Sequence, residues 1–462
     1  MSNKNLENLT LQELNNNVFD HVLEKTFYNN WKKFRENSAL EIIFSPICNQ
    51  QCSYCYLNKD NQNIYSCQEF DVEKSIANVI KLLEWLEFKQ MVPSQMDIFS
   101  GEFFAQEAGY QLLESIAKFY EEHSTYHAPE IIVIPTNGTF AVQDSLIERI
   151  KSYIFRFKNF GTRLVLSFSI DGLYAGKITR KYKKDLDFAL SSSYTSPEEF
   201  YEKAFAFMSE TECLPHPMIS PENVSAWKEN FLWYEDIMNR HHMNFFDLYI
   251  LEVRNYNWTE ESYKAYEDFL LFVLDYMRKK FKTDDEFLDW VLKNPDEYSC
   301  SGFNFLASFA ICDRTSPSCT MGRHLMVRAD DLKVFPCHRL VYPDLEIGQY
   351  VPDEEEKLKF NVVAPELGIA IASFNPKNQN ACSRCPINYL CMGQCHGSCH
   401  ETLGDMFTPI PTVCHLIYRK LKAELNYFKE NNLLNGVLER INSDIVIKQI
   451  ISFVERELGE KK

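Results

Sequence analysis

The feature that most constrains this chain is a group of three cysteines near its N-terminus, Cys48, Cys52 and Cys55, which we call the N-terminal triad. Their spacing is C-x3-C-x2-C, and they follow the apolar run of residues 40–44, which predicts a strand that ends in a tight loop. Three thiolates on one loop can bind three irons of a [4Fe–4S] cluster and leave the fourth iron open to an outside ligand. A structural zinc loop is the alternative, although zinc sites usually pair such cysteines with a second Cys or His pair.

Length and charge limit the classes of function. With 462 residues the chain is long enough for two or more domains, and its net charge of −17 argues against nucleic acid as a partner. The polar N-terminus does not resemble a signal peptide, and no apolar run approaches the roughly 18 residues of a membrane span. Fifteen cysteines without an export signal indicate metal-bound thiolates in a reducing compartment. We therefore expect a cytoplasmic protein without a membrane partner.

Strand-like and helix-like segments alternate six times between residues 40 and 281, which predicts an α/β fold with a parallel sheet. The predicted strands are residues 40–44, 96–100, 130–134, 163–170, 216–220 and 246–251. The predicted helices are residues 72–88, 107–123, 142–158, 197–209, 224–239 and 260–281.

Eight further cysteines, which we call the C-terminal cysteine set, follow after residue 311. They are Cys312, Cys319, Cys337, Cys382, Cys385, Cys391, Cys395 and Cys414. Eight thiolates are the number that two [4Fe–4S] clusters require, and paired zinc sites are the alternative.

The N-terminal triad, with Tyr54 inside it, resembles the signature of the radical S-adenosylmethionine (SAM) enzymes. The C-x2-C-x5-C-x3-C run from Cys382 to Cys395 resembles the SPASM domain, a C-terminal extension of radical SAM enzymes that modify peptides. The resemblance implies a partial (β/α)6 barrel whose active site lies at the carboxyl ends of the strands, followed by a small cysteine-rich SPASM domain. It also implies SAM as a cofactor and three [4Fe–4S] clusters.

The same resemblance implies which residues contact SAM. Ser100-Gly101-Glu102 stands where the family has a Gly-Gly-Glu-Pro-like motif that binds the SAM amino group, and Gly101 would allow a close approach of the backbone. Thr136-Asn137 resembles a Thr-Asn-Gly stretch of these enzymes, for which an ordinary tight turn is an equal alternative. The implied SAM contacts are Tyr54, Ser100, Gly101, Glu102, Thr136, Asn137, Ser169, Asp171 and Arg180.

The C-terminal cysteine set divides in two by the family's crossed arrangement. A first auxiliary cluster would be bound by Cys312, Cys319, Cys337 and Cys395, and a second by Cys382, Cys385, Cys391 and Cys414. Cys399, four residues after Cys395, could replace a neighbour as a ligand. Asp331-Leu332 stands where Asp-Gly is usual, which removes a glycine from a turn but no ligand.

These assignments suggest five segments. They are an N-terminal helical extension (1–38), the radical SAM partial barrel (39–258), a helical linker (259–311), the SPASM domain (312–417) and C-terminal helices (418–462).

The resemblance implies an enzyme in which a 5′-deoxyadenosyl radical abstracts hydrogen from a residue of a ribosomally made peptide, followed by oxidation or crosslinking. The implied partners are a precursor peptide or protein and an electron donor such as flavodoxin or ferredoxin. A second candidate is an anaerobic sulfatase-maturating enzyme, in which an Asp serves as base where this chain has His338. His338 could accept a proton near neutral pH and is our candidate catalytic residue. A peptide epimerase is a third candidate function, and a non-catalytic iron–sulfur protein is the fourth.

Overall fold

The computed structural model describes most of the chain from residue 39 onward. The described residues are 39–57, 70–182, 196–254, 258–292, 321, 325–354, 357–374, 380–388, 390–391, 394–441 and 443–459. The expected N-terminal extension, Cys312, Cys319 and residues 293–311 of the expected linker lie outside these residues.

The described residues form strands and helices that alternate in the first half of the chain. The strands are β1 (Ala39–Ile43), β2 (Gln50–Cys52), β3 (Gln95–Phe99), β4 (Ile131–Thr136), β5 (Arg163–Phe168), β6 (Arg180–Tyr182), β7 (Met218–Ile219), β8 (Leu251–Glu252), β9 (Leu325–Arg328), β10 (Lys333–Phe335), β11 (Gly348–Pro352) and β12 (Leu358–Val362). The α-helices are α1 (Val72–Phe88), α2 (Glu107–Glu122), α3 (Asp144–Asn159), α4 (Gly176–Thr179), α5 (Pro197–Thr211), α6 (Trp227–Arg240), α7 (Glu260–Arg278), α8 (Asp284–Val291), α9 (Pro365–Ser373), α10 (Asn380–Ser383), α11 (His396–Leu403), α12 (Pro411–Glu430), α13 (Leu434–Glu439) and α14 (Asp444–Leu458).

The barrel sheet is parallel. Strands β1, β3, β4 and β5 are neighbours in that order, with Leu40 opposite Met96 and Ile132 opposite Leu164. A parallel bridge between Phe168 and Pro215 continues the order to β7, which pairs in parallel with β8. These six strands and the helices between them form the α/β partial barrel that the sequence predicts.

The predicted helices agree with the structure to within a few residues, but the sixth predicted strand is wrong over most of its length. Residues 246–251 were expected to be extended, yet Phe245–Asp247 is a 3-10 turn and only Leu251 and Glu252 form the strand. The Asn244 side chain accepts a hydrogen bond from the backbone N–H of Phe246, and Phe245 is buried against the ring of Phe231. This local cap competes with extended structure in a run whose composition favours a strand.

The core lies between the sheet and its helices. The side chains that β1, β3 and β4 direct toward the helices include Ile42, Ile98 and Ile132, none of which has exposed surface. They pack in one apolar cluster with Leu82 of α1 and Leu112 of α2. Both helices repeat apolar residues at helical spacing, so the sheet and helix patterns meet in one core.

The C-terminal part extends this sheet. Strand β9 pairs in parallel with β1, and β9 to β12 continue as an antiparallel meander. Between β9 and β10, Leu332 adopts a left-handed conformation with φ of 57°, so the turn expected at Asp331-Leu332 forms without its usual glycine. Helix α12 packs against α7. The barrel strand β1 therefore lies between β3 of the barrel and β9 of the C-terminal part.

Candidate active site

A cavity of about 920 Å³ lies at the carboxyl ends of the barrel strands. Its lining includes all three cysteines of the N-terminal triad and residues that follow β3, β4 and β5. It also includes His338, Arg339 and Cys395 from the C-terminal part, and Lys420 from α12. The cavity thus brings residues from both ends of the chain together, at the edge of the sheet where barrel enzymes have their active sites.

The loop of the N-terminal triad is fixed by a short strand pair. Strand β2 pairs with β6, so that Cys52 is opposite Arg180, and the backbone N–H of Cys55 donates to the carbonyl oxygen of Cys52 at 3.0 Å. Burial and nearby negative groups, among them the other two thiols of the triad, raise the pKa of Cys48 to about 12. Bound iron would offset this repulsion, so the donor set fits a cluster bound by three thiolates.

Asp171 connects the loop of the triad to the middle of the barrel. It has no exposed surface and lies 3.0 Å from the guanidinium Nε of Arg180. Its carboxylate accepts hydrogen bonds from the hydroxyls of Tyr54 and Thr179 and from the backbone N–H of Met218, at 2.7, 2.8 and 2.9 Å. The structure therefore pairs Arg180 with Asp171, and the Arg180 guanidinium also lies over the ring of Tyr54.

Glu102 joins the ends of β3 and β4. Its buried carboxylate accepts hydrogen bonds from the Thr136 hydroxyl and from the backbone N–H groups of Asn137 and Phe104, at 2.7, 2.5 and 3.2 Å. Burial raises the pKa of Glu102 to about 6, although these three hydrogen bonds lower it. Glu102 lines the cavity, so its carboxylate could bind a cationic ligand group as well as support the strand ends.

The predicted close approach at Gly101 is present. A Cβ atom there would lie 2.5 Å from the carbonyl oxygens of Pro46 and Ile47. The backbone N–H of Gly101 donates to the carbonyl oxygen of Ser45 at 2.7 Å, and the Ser100 hydroxyl donates to the same oxygen at 3.0 Å. Only glycine fits at this position, where the segment after β3 crosses the start of the cysteine loop.

Asn137 lies in a buried polar network that also reaches the cysteine loop. Its side-chain amide donates to Asn49 Oδ1 at 2.7 Å, and Asn49 donates in turn to the Thr139 hydroxyl at 2.9 Å. Thr136 and Asn137 line the cavity, as does Ser169 after β5. The Thr-Asn-Gly stretch is thus both a turn, with Gly138 at φ of 76°, and part of the cavity lining.

His338 enters the cavity from the C-terminal part. Its backbone N–H and its ring Nδ1 both contact Glu41 Oε2, at 3.1 and 3.2 Å. Its ring stacks on Phe99 with a centroid separation of 4.1 Å. If Nδ1 donates to Glu41, Nε2 is the ring nitrogen that can accept a proton. Glu41 lies in the buried strand β1 and carries no motif, so sequence reasoning missed it.

Arg339 connects the C-terminal part to the cysteine loop. It forms two hydrogen bonds to the buried carboxylate of Glu401, at 2.9 and 2.7 Å, and its Nη1 lies 3.8 Å from the sulfur of Cys395. Its guanidinium also lies over the ring of Tyr56, 5.2 Å from the ring centroid. A paired arginine beside Cys395 would stabilise that residue as a thiolate.

Cys414 interacts electrostatically with three other cysteines of the C-terminal set. Burial and the thiols of Cys391, Cys382 and Cys385 raise the pKa of Cys414 to about 12. Among the described residues, no group of three His, Cys, Asp or Glu side chains converges on a position for one metal ion. In a [4Fe–4S] cluster each thiolate binds a different iron, so the sulfurs do not need to converge in that way. This set fits the four ligands expected for the second auxiliary cluster.

The remaining cysteines are less informative. Cys337 and Cys395 are the described members of the other predicted ligand set, whose Cys312 and Cys319 lie outside the described residues. Cys399 is buried against Ile410 and Val413. Cys213 is buried in the main core, and neither it nor Cys399 lines the cavity.

Two further polar groups of the cavity were missed by sequence reasoning. His216 contacts the Ser167 hydroxyl through Nδ1 at 2.8 Å, and burial together with the charge on Arg180 lowers its pKa to about 4, so the imidazole is neutral. Glu252 of β8 contacts Lys420 of α12, 168 residues later. Single residues in and beside short strands carry no spacing signal from which such contacts could be found.

Comparisons with known proteins give a fold but no sequence family. No protein-family model matches the chain, and no curated protein matches it. The solved structure "Native anSMEcpe with bound AdoMet" aligns with a TM-score of 0.57 at 14% identity, covering 86% of this chain and 100% of that one. A second anSMEcpe structure, with AdoMet and a Cp18Cys peptide, aligns with a TM-score of 0.54 at 14% identity over 86% and 99% of the two chains. SuiB from Streptococcus suis, bound to the precursor peptide SuiA, aligns with a TM-score of 0.45 at 12% identity over 89% and 84%.

Among the described residues, no helix is both long and apolar enough to cross a membrane.

The two anSMEcpe alignments extend over the barrel and the C-terminal part together, since they cover most of both chains. anSMEcpe is an anaerobic sulfatase-maturating enzyme of the SPASM type. This chain therefore has the fold of the SPASM-type radical SAM enzymes, with a partial α/β barrel followed by a cysteine-rich C-terminal part.

Proposed function

We propose that this protein is a radical SAM enzyme that modifies a residue of a ribosomally made peptide by oxidation or crosslinking. The observation that carries the proposal is the single cavity lined by the N-terminal triad, by Glu102 and Arg180, and by His338 and Cys395 of the C-terminal part. A cluster-binding loop and a second cysteine-rich segment thus face one space that is large enough for a cofactor and part of a peptide.

The N-terminal triad is proposed to hold a [4Fe–4S] cluster to which SAM binds. Bound together, these two groups supply reductive cleavage of SAM and a carbon radical that can remove a hydrogen atom from a substrate. Glu102 is proposed to accept a hydrogen bond from the SAM ammonium group, beside the backbone at Gly101. Asp171 holds Arg180 and Tyr54 in place at the cysteine loop. The neighbouring anSMEcpe structures contain AdoMet, which supports this assignment.

The C-terminal cysteine set is proposed to hold two auxiliary clusters, which makes three clusters in all. The electrostatic interaction of Cys414 with Cys382, Cys385 and Cys391 supports one of the two predicted ligand sets. The anSMEcpe structure with a Cp18Cys peptide supports a peptide as the substrate class. We further propose a flavodoxin or ferredoxin as the electron donor and the cytoplasm as the compartment, in keeping with many reduced cysteines.

The second candidate function is maturation of a sulfatase, in which a Cys or Ser of a protein becomes formylglycine. The fold similarity to anSMEcpe favours sulfatase maturation. Glu41 also favours it, because its carboxylate contacts His338 at the cavity. In that group of enzymes the base is an Asp at the position of His338. The substitution to His338 favours the first candidate.

The decisive experiment uses anaerobically reconstituted protein, reductant, SAM and the peptide encoded beside the gene. We expect 5′-deoxyadenosine by chromatography and a peptide that has lost two hydrogen atoms by mass spectrometry. A product that reacts with a hydrazide probe would identify formylglycine, and an unchanged mass with deuterium uptake from solvent would identify an epimerase. No consumption of SAM by the reduced, iron-loaded protein would refute the proposal.

A Cys337→Ala variant tests whether the C-terminal cysteine set serves the reaction. We expect the variant to cleave SAM and to form little or no modified peptide, because oxidation of the substrate needs a site that accepts an electron. Circular dichroism and iron content establish that the variant is folded and lacks one cluster. A normal yield of modified peptide from such a variant would contradict an electron-accepting role.

A further inference from the structure

Helix α11 and the residue before it hold Arg339 at three points. Cys395 directly precedes the helix, and Nη1 of Arg339 donates a hydrogen bond to the Cys395 sulfur at 3.8 Å. Glu401, in the second turn, accepts hydrogen bonds from Nε and Nη2 of Arg339 at 2.9 and 2.7 Å. Between these two contacts, a Cβ atom at Gly397 would lie 2.4 Å from the Cβ atom of Arg339. The helix thus leaves room for the arginine and directs its guanidinium toward a sulfur.

A second arginine of the cavity has the same arrangement. Nη1 of Arg180 donates a hydrogen bond to the sulfur of Cys52 at 3.8 Å, and its Nε lies 3.0 Å from the buried carboxylate of Asp171. In both cases a buried carboxylate fixes the guanidinium while another N–H group donates to a cysteine. Cys52 and Cys395 are both proposed cluster ligands, so the two arrangements share an acceptor of one chemical kind.

A donor fixed in this way affects the energy of an electron on the metal group. The net charge and the hydrogen bonds to the sulfur ligands set the reduction potential of an iron–sulfur cluster. Reduction adds a negative charge that the sulfur ligands share, so a charged N–H donor stabilises the reduced state more than the oxidised state. The guanidinium of Arg339 keeps its charge at every pH that a protein tolerates. The carboxylate of Glu401 opposes the effect through its own negative charge.

We propose that Arg339 raises the reduction potential of the first auxiliary cluster through its hydrogen bond to Cys395. Arg339 is a positioning residue in this role, because it acts on the cluster through a ligand, and Glu401 fixes it in place. A raised potential suits the electron-accepting role of the C-terminal cysteine set. The inference rests on the proposed function, since it requires the cluster that Cys395 is proposed to bind.

Arg339 is a better position for a test than Arg180, which is also an expected SAM contact. Arg419 provides the matched control. It forms two hydrogen bonds with Glu267, at 2.6 and 2.8 Å, and its side chain is 19% exposed, as is that of Arg339. Arg419 does not line the cavity and has no hydrogen bond to a cysteine among the described residues. Arg419→Gln therefore removes the same charge in a similar setting away from the proposed ligands.

The experiment is a redox titration of the full-length, iron-loaded protein, followed by electron paramagnetic resonance of the reduced clusters. It is carried out without SAM and without peptide. We expect Arg339→Gln to make one-electron reduction of one component about tenfold less favourable, which lowers its midpoint potential by about 59 mV. The other components should not shift, and Arg419→Gln should shift none. The shift should persist when the N-terminal triad is changed to alanine, because it belongs to an auxiliary cluster.

Two further variants separate the effect of charge from loosening of the site. Loosening would admit water, which stabilises the more negative reduced cluster and would raise the midpoint potential, so a fall in Arg339→Gln has the opposite sign. Glu401→Gln removes the opposing negative charge and should raise the midpoint of the same component. Arg339→Lys keeps the charge without the two fixed hydrogen bonds to Glu401 and should give a smaller fall. These two variants decide the matter if Arg339→Gln does not fold.

The proposal is overturned if the Arg339 variants leave every midpoint unchanged, raise it, or shift all components equally. It is also overturned if the shift disappears in the protein that lacks the N-terminal triad, since Arg339 would then act on the SAM-binding cluster. Absence of any iron–sulfur signal from the reconstituted wild-type protein refutes the proposed function instead, so the two failures can be told apart.

Discussion

Replacing Glu424 with glutamine should stabilise the folded protein, and increasingly so as the pH rises. Glu424 is fully buried in α12, and neither of its carboxyl oxygens has a hydrogen-bond partner among the described residues. Burial raises its pKa from the usual 4.5 to about 8. The folded protein therefore keeps a proton on Glu424 up to about pH 8, whereas the unfolded chain releases it above pH 4.5.

The sign and size of the effect follow from this difference in proton binding. A carboxyl whose pKa is raised in the folded state loses stability as the pH rises from 4.5 to 8, by about 1.4 kcal/mol for each pH unit. At pH 7 the wild-type protein is therefore less stable by about 3 kcal/mol than it would be with a group that cannot ionise. Glutamine has the shape of the protonated acid and leaves similar polar atoms unpaired. Glu424→Gln therefore isolates the effect of Glu424 ionisation on the free energy of unfolding.

The assay is urea unfolding followed by tryptophan fluorescence at pH 5.5, 7.0 and 8.5. Relative to wild type, we expect Glu424→Gln to raise the free energy of unfolding by about 1, 3 and 5 kcal/mol at these pH values. The control is Glu430→Gln on the same helix, where the exposed carboxylate accepts a hydrogen bond from Asn426. Equal pH dependence of wild type and Glu424→Gln would refute a Glu424 that is neutral at pH 7 in the folded protein.

Three other predictions concern the cavity. Changing the whole N-terminal triad to alanine should remove about a third of the bound iron and all cleavage of SAM, and cleavage that persists would contradict the cluster assignment. The affinity for SAM should fall about tenfold for each pH unit below 6 as Glu102 becomes protonated, and titrations of Glu102→Gln should show no such dependence. Asp171→Asn should lower the free energy of unfolding by about 3 to 5 kcal/mol, because it leaves the Arg180 charge buried without its carboxylate. The exposed pair of Asp144 provides the control, since Asp144→Asn should change stability by less than about 1 kcal/mol.

The parts of the site that could be predicted are those that a short stretch of sequence specifies. The N-terminal triad, Gly101 and the Thr-Asn-Gly turn each lie within a few residues of a strand end. Since the carboxyl ends of parallel strands meet at one edge of a sheet, predicting the strands was enough to bring these motifs together. The helices were predicted from the spacing of apolar residues within each segment. For this reason α1 and α7 begin at the predicted residues.

Contacts between distant parts of the chain could not be predicted in this way. The pairing of β9 with β1 places His338 beside Glu41, 297 residues away. Neither strand contains a sequence feature from which its neighbour in the sheet could be predicted. The prediction of the sixth strand was wrong because of a local contact. The side chain of Asn244 caps a turn in a segment that strand propensity alone would make extended.

The contact of Lys420 with Glu252 shows what such long-range contacts add to a site inferred from motifs. Lys420 belongs to a helix outside both recognisable motifs. Its neighbours in the sequence predict no more than an ordinary amphipathic helix. Packing of α12 against α7 brings it to Glu252 at the end of the sixth barrel strand. The motifs concern cofactors, which are shared by enzymes with different substrates. Discrimination between substrates has to come from residues outside these motifs.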